Sequence, residues 1–289
     1  MMGHVLLAMA VLTGSTPVAR TPLSVLTWNV CTGTNSLCPI YRAGGVELAG
    51  TIAELAASGS IKPDVIFLQE FCTGVSAQLE AGLEARTGRP WTVRAWGLGG
   101  ADGKPYACHP DRLGRSRGAQ SVTLAVAGDG VTFQTHPLAA PRWYVTRAAL
   151  CATIPAKKVH ACGTHLSSGS GYDDHQPGAP YRTRQIRQLL AAAAKPGHRT
   201  IVGGDLNVAP PDSGDGGAAG RRAVVPAYRA YQECDQRGPR RTGRWTHTGA
   251  NGRKKLDYLF APKGTVTGCR VDKALTVSDH KPLFMKVAL

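Results

Sequence analysis

The chain alternates short apolar runs with amphipathic stretches of helical spacing. Residues 23–30 are strand-like and end in Trp28-Asn29; residues 46–57 have helical spacing, with Glu47 and Glu54 on the polar side. Pro63-Asp64 leads into 65–68, an unbroken apolar run of the kind that forms a buried strand. A second amphipathic helix is predicted over 75–86, a strand over 91–96, and a long surface loop over 97–118, which is rich in Gly, Arg and polar residues. Residues 120–127 and 131–135 are predicted to pair as a hairpin about Gly128-Asp129-Gly130, and 148–154 with 158–164 about a tight turn near 155–157. Residues 167–180 are read as a loop, and 181–194 as a helix stopped by Lys195-Pro196-Gly197. A buried strand over 200–203 ends at Asp205, residues 210–220 are flexible by composition, and a helix is predicted over 224–231. Further strands are expected at 255–260, 266–271 and 283–287. Strands outnumber helices and several are hairpin-connected. The class is therefore α/β (α+β), a four-layer sandwich of two mixed or antiparallel sheets packed face to face with helices outside. No repeat or linker divides residues 21–289, which are read as one domain.

Composition changes this picture in two ways. Of the 289 residues, 34 are Lys or Arg and 19 are Asp or Glu, a formal net charge of +15. A surplus of this size favours a polyanionic partner: nucleic acid, an anionic membrane surface or an acidic polysaccharide. Short basic clusters at 112–117, 237–244 and 253–255 suit a folded basic face better than a disordered tail. The 8 cysteines include no Cys-x-x-Cys pair and none at zinc-finger spacing with His, which favours an extracellular disulfide set. Antiparallel pairing of 148–154 with 158–164 places Cys151 opposite Cys162. Cys31 and Cys38 suit a small closed loop, and elimination leaves Cys72–Cys108 and Cys234–Cys269. The apolar run 5–12, followed by Gly, Ser, Thr and Pro, reads as an export signal over residues 1–20 cleaved within 13–20. No later run approaches the length of a membrane span, so a secreted protein without membrane insertion is expected.

Chemistry concentrates where apolar strands end. Thr27-Trp28-Asn29, Leu68-Gln69-Glu70, Gly163-Thr164-His165-Leu166, Gly204-Asp205-Leu206-Asn207 and Ser278-Asp279-His280 each place an amide, carboxylate or imidazole at such a point, and Leu256-Asp257-Tyr258 puts an Asp at a strand start. Strand ends converge at one rim of a sheet sandwich. Alone, each of these segments is an ordinary turn former. Together they supply hard oxygens for magnesium and imidazoles as donors or bases, which phosphodiester cleavage requires.

In this order the motifs resemble the endonuclease/exonuclease/phosphatase superfamily, which includes pancreatic-type deoxyribonucleases, abasic-site endonucleases, bacterial sphingomyelinases and the nuclease subunit of distending toxins. The resemblance runs from about Leu23 to Val287; Gly204-Asp205-Leu206-Asn207 and Ser278-Asp279-His280 are its most specific parts. It implies a pancreatic-deoxyribonuclease-like sandwich that hydrolyses phosphate esters with Mg2+, or with Mn2+ or Ca2+. Glu70 resembles the main metal ligand, and Asn29 and Asp279 its neighbours. His280 resembles the catalytic histidine and Asp257 the carboxylate that orients and charges it. Asp205 resembles the residue that positions or deprotonates the attacking water. Asn207 and His165 resemble phosphate donors, and Arg147 a phosphate-binding arginine. The spacing of Arg182 and Gln185 is common in the family and is read as structural. One departure stands out: no glutamate lies between Glu84 and Glu233, so His165 lacks the glutamate partner of pancreatic-type enzymes. The histidines at 109, 136, 160, 175, 198 and 247 match no motif and are assigned to surface or core.

These features favour a monomeric secreted nuclease acting on DNA with little sequence preference, its cleft flanked by basic loops such as 112–117 and 240–255. A lipid phosphodiesterase or phosphomonoesterase of the same fold ranks second, because aromatics are only 6% and no loop clusters them. A non-catalytic basic module ranks third, because it predicts lost site residues and all matched positions are intact.

Overall fold

Strands that are apolar on both faces must be covered on both, and the chain does this by stacking two sheets and placing helices on the outer face of each. The computed structural model describes residues 22–236 and 238–289. The predicted export signal and Arg237 of the basic cluster lie outside the described residues.

The first half of the chain builds β1 (Pro22–Asn29), α1 (Gly45–Ser58), β2 (Val65–Cys72), α2 (Ser76–Thr87), β3 (Trp91–Gly97) and β4 (Gln120–Ala127). The second half begins with β5 (Thr132–Leu138), β6 (Arg147–Ile154), β7 (Val159–His165), α3 (Pro180–Ala193) and β8 (Arg199–Asp205). It continues with α4 (Ala218–Ala223), α5 (Val225–Ala230), β9 (Gln232–Glu233), β10 (His247–Gly249), β11 (Gly252–Lys254), β12 (Asp257–Ala261), β13 (Val266–Val271) and β14 (Leu283–Ala288). One 6-stranded sheet has the order β13-β14-β1-β2-β4-β3 and the other 6-stranded sheet β5-β6-β7-β8-β12-β9, with β10-β11 as a separate ribbon. Both large sheets are mixed: β1 and β2 run parallel, as do β7 and β8.

Three apolar layers hold the sandwich together. Leu26, Trp28, Ile66 and Leu68 face α1 and α2, with Leu48, Ile52 and Leu79 packed against them. Val25, Val65, Phe67, Leu124, Leu150, Ile201 and Leu259 fill the space between the sheets. Ile186 and Leu189 of α3 cover the outer face of the second sheet with Tyr258 and Phe260. This is the expected four-layer architecture.

One expected pairing fails. Residues 120–127 and 131–135 do not form a hairpin, because β4 is already paired on both edges by β2 and β3. The chain therefore crosses at 128–130 to the second sheet, where β5 pairs with β6. The helix expected over 224–231 is present as α5, which follows the separate α4 at Val224 and carries a proline in its first turn; proline lacks the N–H that would continue a helix from behind. Helix α4 begins at Ala218, inside the stretch read as flexible. The short strands β9, β10 and β11 have no hydrophobic alternation to announce them.

All four expected disulfides are present: Cys31–Cys38, Cys72–Cys108, Cys151–Cys162 and Cys234–Cys269. Cys151 and Cys162 are direct register partners on β6 and β7.

Candidate functional site

On the second sheet the ladder itself arranges the chemistry. His165 on β7 is the parallel register partner of Asp205 on β8, and Asp205 is the antiparallel partner of Asp257 on β12. Register partners project to the same face, so an imidazole and two carboxylates stand in a row at the rim. Gly204 permits this. Its φ of +130° suits no side chain, and a Cβ there would lie 2.0 Å from the Thr164 carbonyl oxygen. Just beyond β8, Asn207 takes the left-handed conformation at φ 51°. Its N–H donates to Asp205 Oδ1 at 2.9 Å, and its Nδ2 donates to the Leu166 carbonyl at 3.0 Å.

The first sheet contributes through an irregularity. In regular alternation Glu70 would follow Ile66 and Leu68 toward the helices. The register of β2 against β4 shifts between Gln69 and Phe71, and Glu70 adopts φ 55°. Such a bulge re-aims a side chain, and here it turns the Glu70 carboxylate toward the second sheet. Asn29 Nδ2 donates to Glu70 Oε1 and to Asp205 Oδ2, each at 3.1 Å, and so bridges the two sheets.

The turn before β14 completes the site. Ser278 Oγ donates to the Asn29 carbonyl at 2.8 Å and accepts from the His280 N–H at 3.0 Å. Trp28 Nε1 donates to the His280 carbonyl at 3.2 Å. Thus positioned, His280 Nδ1 bonds Asp257 Oδ2 at 2.8 Å, and its Nε2 lies 3.7 Å from Asp205 Oδ2. Asn35, in the loop closed by Cys31–Cys38, donates to Asp279 Oδ2 at 3.2 Å.

The electrostatics follow from burial and neighbours. Burial would lower the His280 pKa, but Asp257 and then Asp205 raise it to about 10, so the ring is charged at neutral pH. Burial raises Asp205 to about 7, with His280 opposing and Asp257 adding. Burial also raises Glu70, against its bond from Asn29. His165 is held well below the ordinary value by burial, then by Arg147 and His280, and is neutral. Its Nε2 lies 3.5 Å from Asp205 Oδ2 and its Nδ1 has no partner, in keeping with the missing glutamate.

Glu70, Arg147, His165, Asp205, Asn207, Asp279 and His280 line one cavity of about 320 Å³. Asn29 and Asp257 stand directly behind it, bonded to those that line it. All nine residues singled out in the sequence therefore meet. Arg147 is less free than expected, since its guanidinium donates to the buried Asp173 carboxylate at 2.8 Å. Every described cysteine is disulfide-bonded. The donors around the cavity are carboxylate and amide oxygens plus imidazole, a set that fits a hard divalent cation.

His247, assigned above to surface or core, belongs to the site. It lies on the β10-β11 ribbon with its ring centroid 4.6 Å from that of His280 and its Nε2 3.8 Å from Asp279 Oδ2. Burial and then the His280 charge lower its pKa to about 4. The turn residues Asn251-Gly252 were the one local sign of this ribbon. The basic loop 112–117 is not at the cleft: Arg112 and Arg115 line a separate cavity, paired with Glu47 and Asp111. Lys255 is buried against Glu233. Aromatic residues distant in sequence do cluster, because Tyr106, Tyr144 and Tyr172 all line the site cavity.

The sequence profile of the Endonuclease/Exonuclease/phosphatase family matches residues 26–280. The chain belongs to this family. Endonuclease/exonuclease/phosphatase members hydrolyse phosphate esters and generally use divalent metal ions. An endonuclease/exonuclease/phosphatase from Beutenbergia cavernae DSM 12333 shares the fold with a TM-score of 0.61 at 20% identity, covering 93% of this chain and 72% of that one. A family protein from Leptotrichia buccalis C-1013-b has a TM-score of 0.61 at 17% identity, covering 92% and 100%. TDP2 of D. rerio, complexed with single strand DNA product, has a TM-score of 0.58 at 18% identity, covering 93% and 100%. No curated protein matches the chain in sequence.

Proposed function

We propose that the chain is a secreted, metal-dependent phosphodiesterase that hydrolyses nucleic acid backbones, DNA foremost, with residues 1–20 as its export signal and residues 21–289 as its catalytic domain. The observation that carries the reading is the union of two arrangements in one cavity. The charged His280–Asp257 pair faces Asp205, while the Glu70 and Asp279 carboxylates line the same cavity and Asn29 donates to Glu70 from behind.

In this reading Glu70 and Asp279 would hold a divalent ion, Mg2+ first, with Asn29, expected as a third ligand, orienting Glu70 through its Nδ2 while its Oδ1 accepts from the Cys31 N–H. When bound, the ion neutralises phosphate charge. Asp205 orients a water and accepts its proton as the water oxygen attacks phosphorus. His280, charged and held by Asp257, donates to the phosphate oxygens and stabilises the negative charge that develops there. Neutral His165 and Asn207 add hydrogen bonds to the same oxygens, and Arg147 adds positive charge. The phosphorus–oxygen bond to the departing nucleotide breaks, and that oxygen takes a proton from solvent water. The formal charge of +15 supports a polyanionic substrate, bound through backbone phosphates without base reading. The DNA product held by TDP2, a protein of the same fold, points the same way.

The test offers the purified protein plasmid DNA, RNA and sphingomyelin vesicles, each with Mg2+ and with a chelator. Magnesium-dependent loss of intact DNA is expected. Intact DNA beside hydrolysed sphingomyelin would replace the reading with a lipid phosphodiesterase.

A further inference from the structure

Beside the polar cavity the fold assembles aromatic rings from three separate segments. Tyr144 precedes β6, and its ring centroid lies 5.1 Å from Tyr172 and 6.2 Å from Tyr106, both edge to face. All three line the cavity that holds Glu70 and His280. The Arg147 guanidinium lies 6.0 Å from the Tyr144 ring centroid. Tyr172 is nevertheless 62% exposed, and the neighbouring Trp143 is 48% exposed while packed edge-on to Tyr181 at 6.0 Å. Large aromatic surface is seldom left open unless something covers it.

We infer that this rim is a stacking platform for an unpaired base next to the scissile phosphate, so that the enzyme acts on single-stranded or locally melted nucleic acid in preference to intact duplex. The inference rests on the phosphodiesterase reading above. Edge-to-face packing fixes the rings and leaves the outward part of Tyr172 free. A base offers a π-face only when it is unstacked, as at single strands, loops and ends. Aromatic platforms beside cationic backbone grooves bind such strands with little regard to sequence. The rings stand beside Arg147 in a chain of charge +15, which suits a polyanion carrying flat bases. A membrane-inserting rim would add exposed aliphatic residues here. Of the exposed large ones, Val46 and Leu113 line a different cavity, and Leu37 stands alone in the Cys31–Cys38 loop.

The test measures fluorescence anisotropy of a labelled single strand, the same strand with abasic sites, and the matching duplex, at one salt concentration and with chelator present. The wild-type protein is expected to prefer the base-bearing strand over the abasic one by roughly 5- to 150-fold, the range for stacking on one aromatic platform. Tyr172→Ala should bring that ratio toward one, and Tyr172→Trp should restore it. An unchanged ratio in Tyr172→Ala, or tighter binding of the duplex, overturns the inference. So does Tyr172-dependent sedimentation with sphingomyelin vesicles. Cleavage of DNA or RNA with Mg2+ distinguishes the two levels: if neither is cut the phosphodiesterase reading fails, whereas cutting with no Tyr172 effect removes the platform alone.

Discussion

The two sheets reach the same rim by different means. The second sheet delivers His165, Asp205 and Asp257 through an unbroken register, so their row is a property of the ladder. The first sheet delivers Glu70 only by breaking its register, with a bulge and a left-handed residue that regular strand geometry would not contain. Asn29 and His280 stitch the halves together, one by donating to a carboxylate on each sheet, the other by bonding Asp257 from the turn before β14. The His165–Asp205–Asp257 row thus sits on regular backbone. Glu70 is aimed by the irregularity itself. Strain of this kind persists only where the surroundings over-determine it.

Three changes probe the contrast. The largest effect is expected from His280→Ala, which removes the charged group that joins the turn before β14 to the ordered row through Asp257. Cleavage of DNA with Mg2+ should fall by about 10²–10⁴-fold, the usual contribution of a positioned acid or base. Binding of the uncut strand in chelator should persist, and unchanged cleavage would show that His280 takes no part in the reaction.

Gly204→Ala attacks the ladder instead. A Cβ there meets the Thr164 carbonyl in a conformation that side chains avoid. A loss of about 2–4 kcal/mol in denaturant unfolding is expected, as for other backbone-strain changes. A loss under about 0.5 kcal/mol, the size of a neutral surface change, would mean that the row tolerates displacement.

Asn29→Ala is the subtlest, because it leaves every carboxylate in place and cuts only the bridge between sheets. Divalent-ion affinity by calorimetry should weaken roughly 10–100-fold, as when partners that orient metal ligands are removed. Unchanged affinity would show that the bulge alone aims Glu70.

The sequence made the chemical inventory legible because each group follows an apolar strand, and strands in a sandwich end at shared rims. Asp257 is a clear case, standing at the start of an apolar strand and bonded to His280 as the resemblance implied. The Cys151–Cys162 pair was legible from a single tight turn. His247 was not, because its ribbon is three residues a side and carries no hydrophobic alternation. The aromatic rim was hidden for another reason: Tyr106, Tyr144 and Tyr172 come from three loops, and nothing local relates them. The crossing at 128–130 was misjudged because Gly-Asp-Gly sets a reversal but does not say which edge is vacant.

Local chemistry and periodicity therefore determined most of the elements, which polar residues stand at strand ends and that two sheets must stack, since these follow from side-chain character and the pleat. Which strand pairs with which, the turning of Glu70 toward Asp205 and the gathering of His247 and the tyrosines around the cavity were decided only by the tertiary structure. Those outcomes depend on competition for sheet edges and on contacts between residues far apart in the chain, and neither is written in any short stretch of sequence.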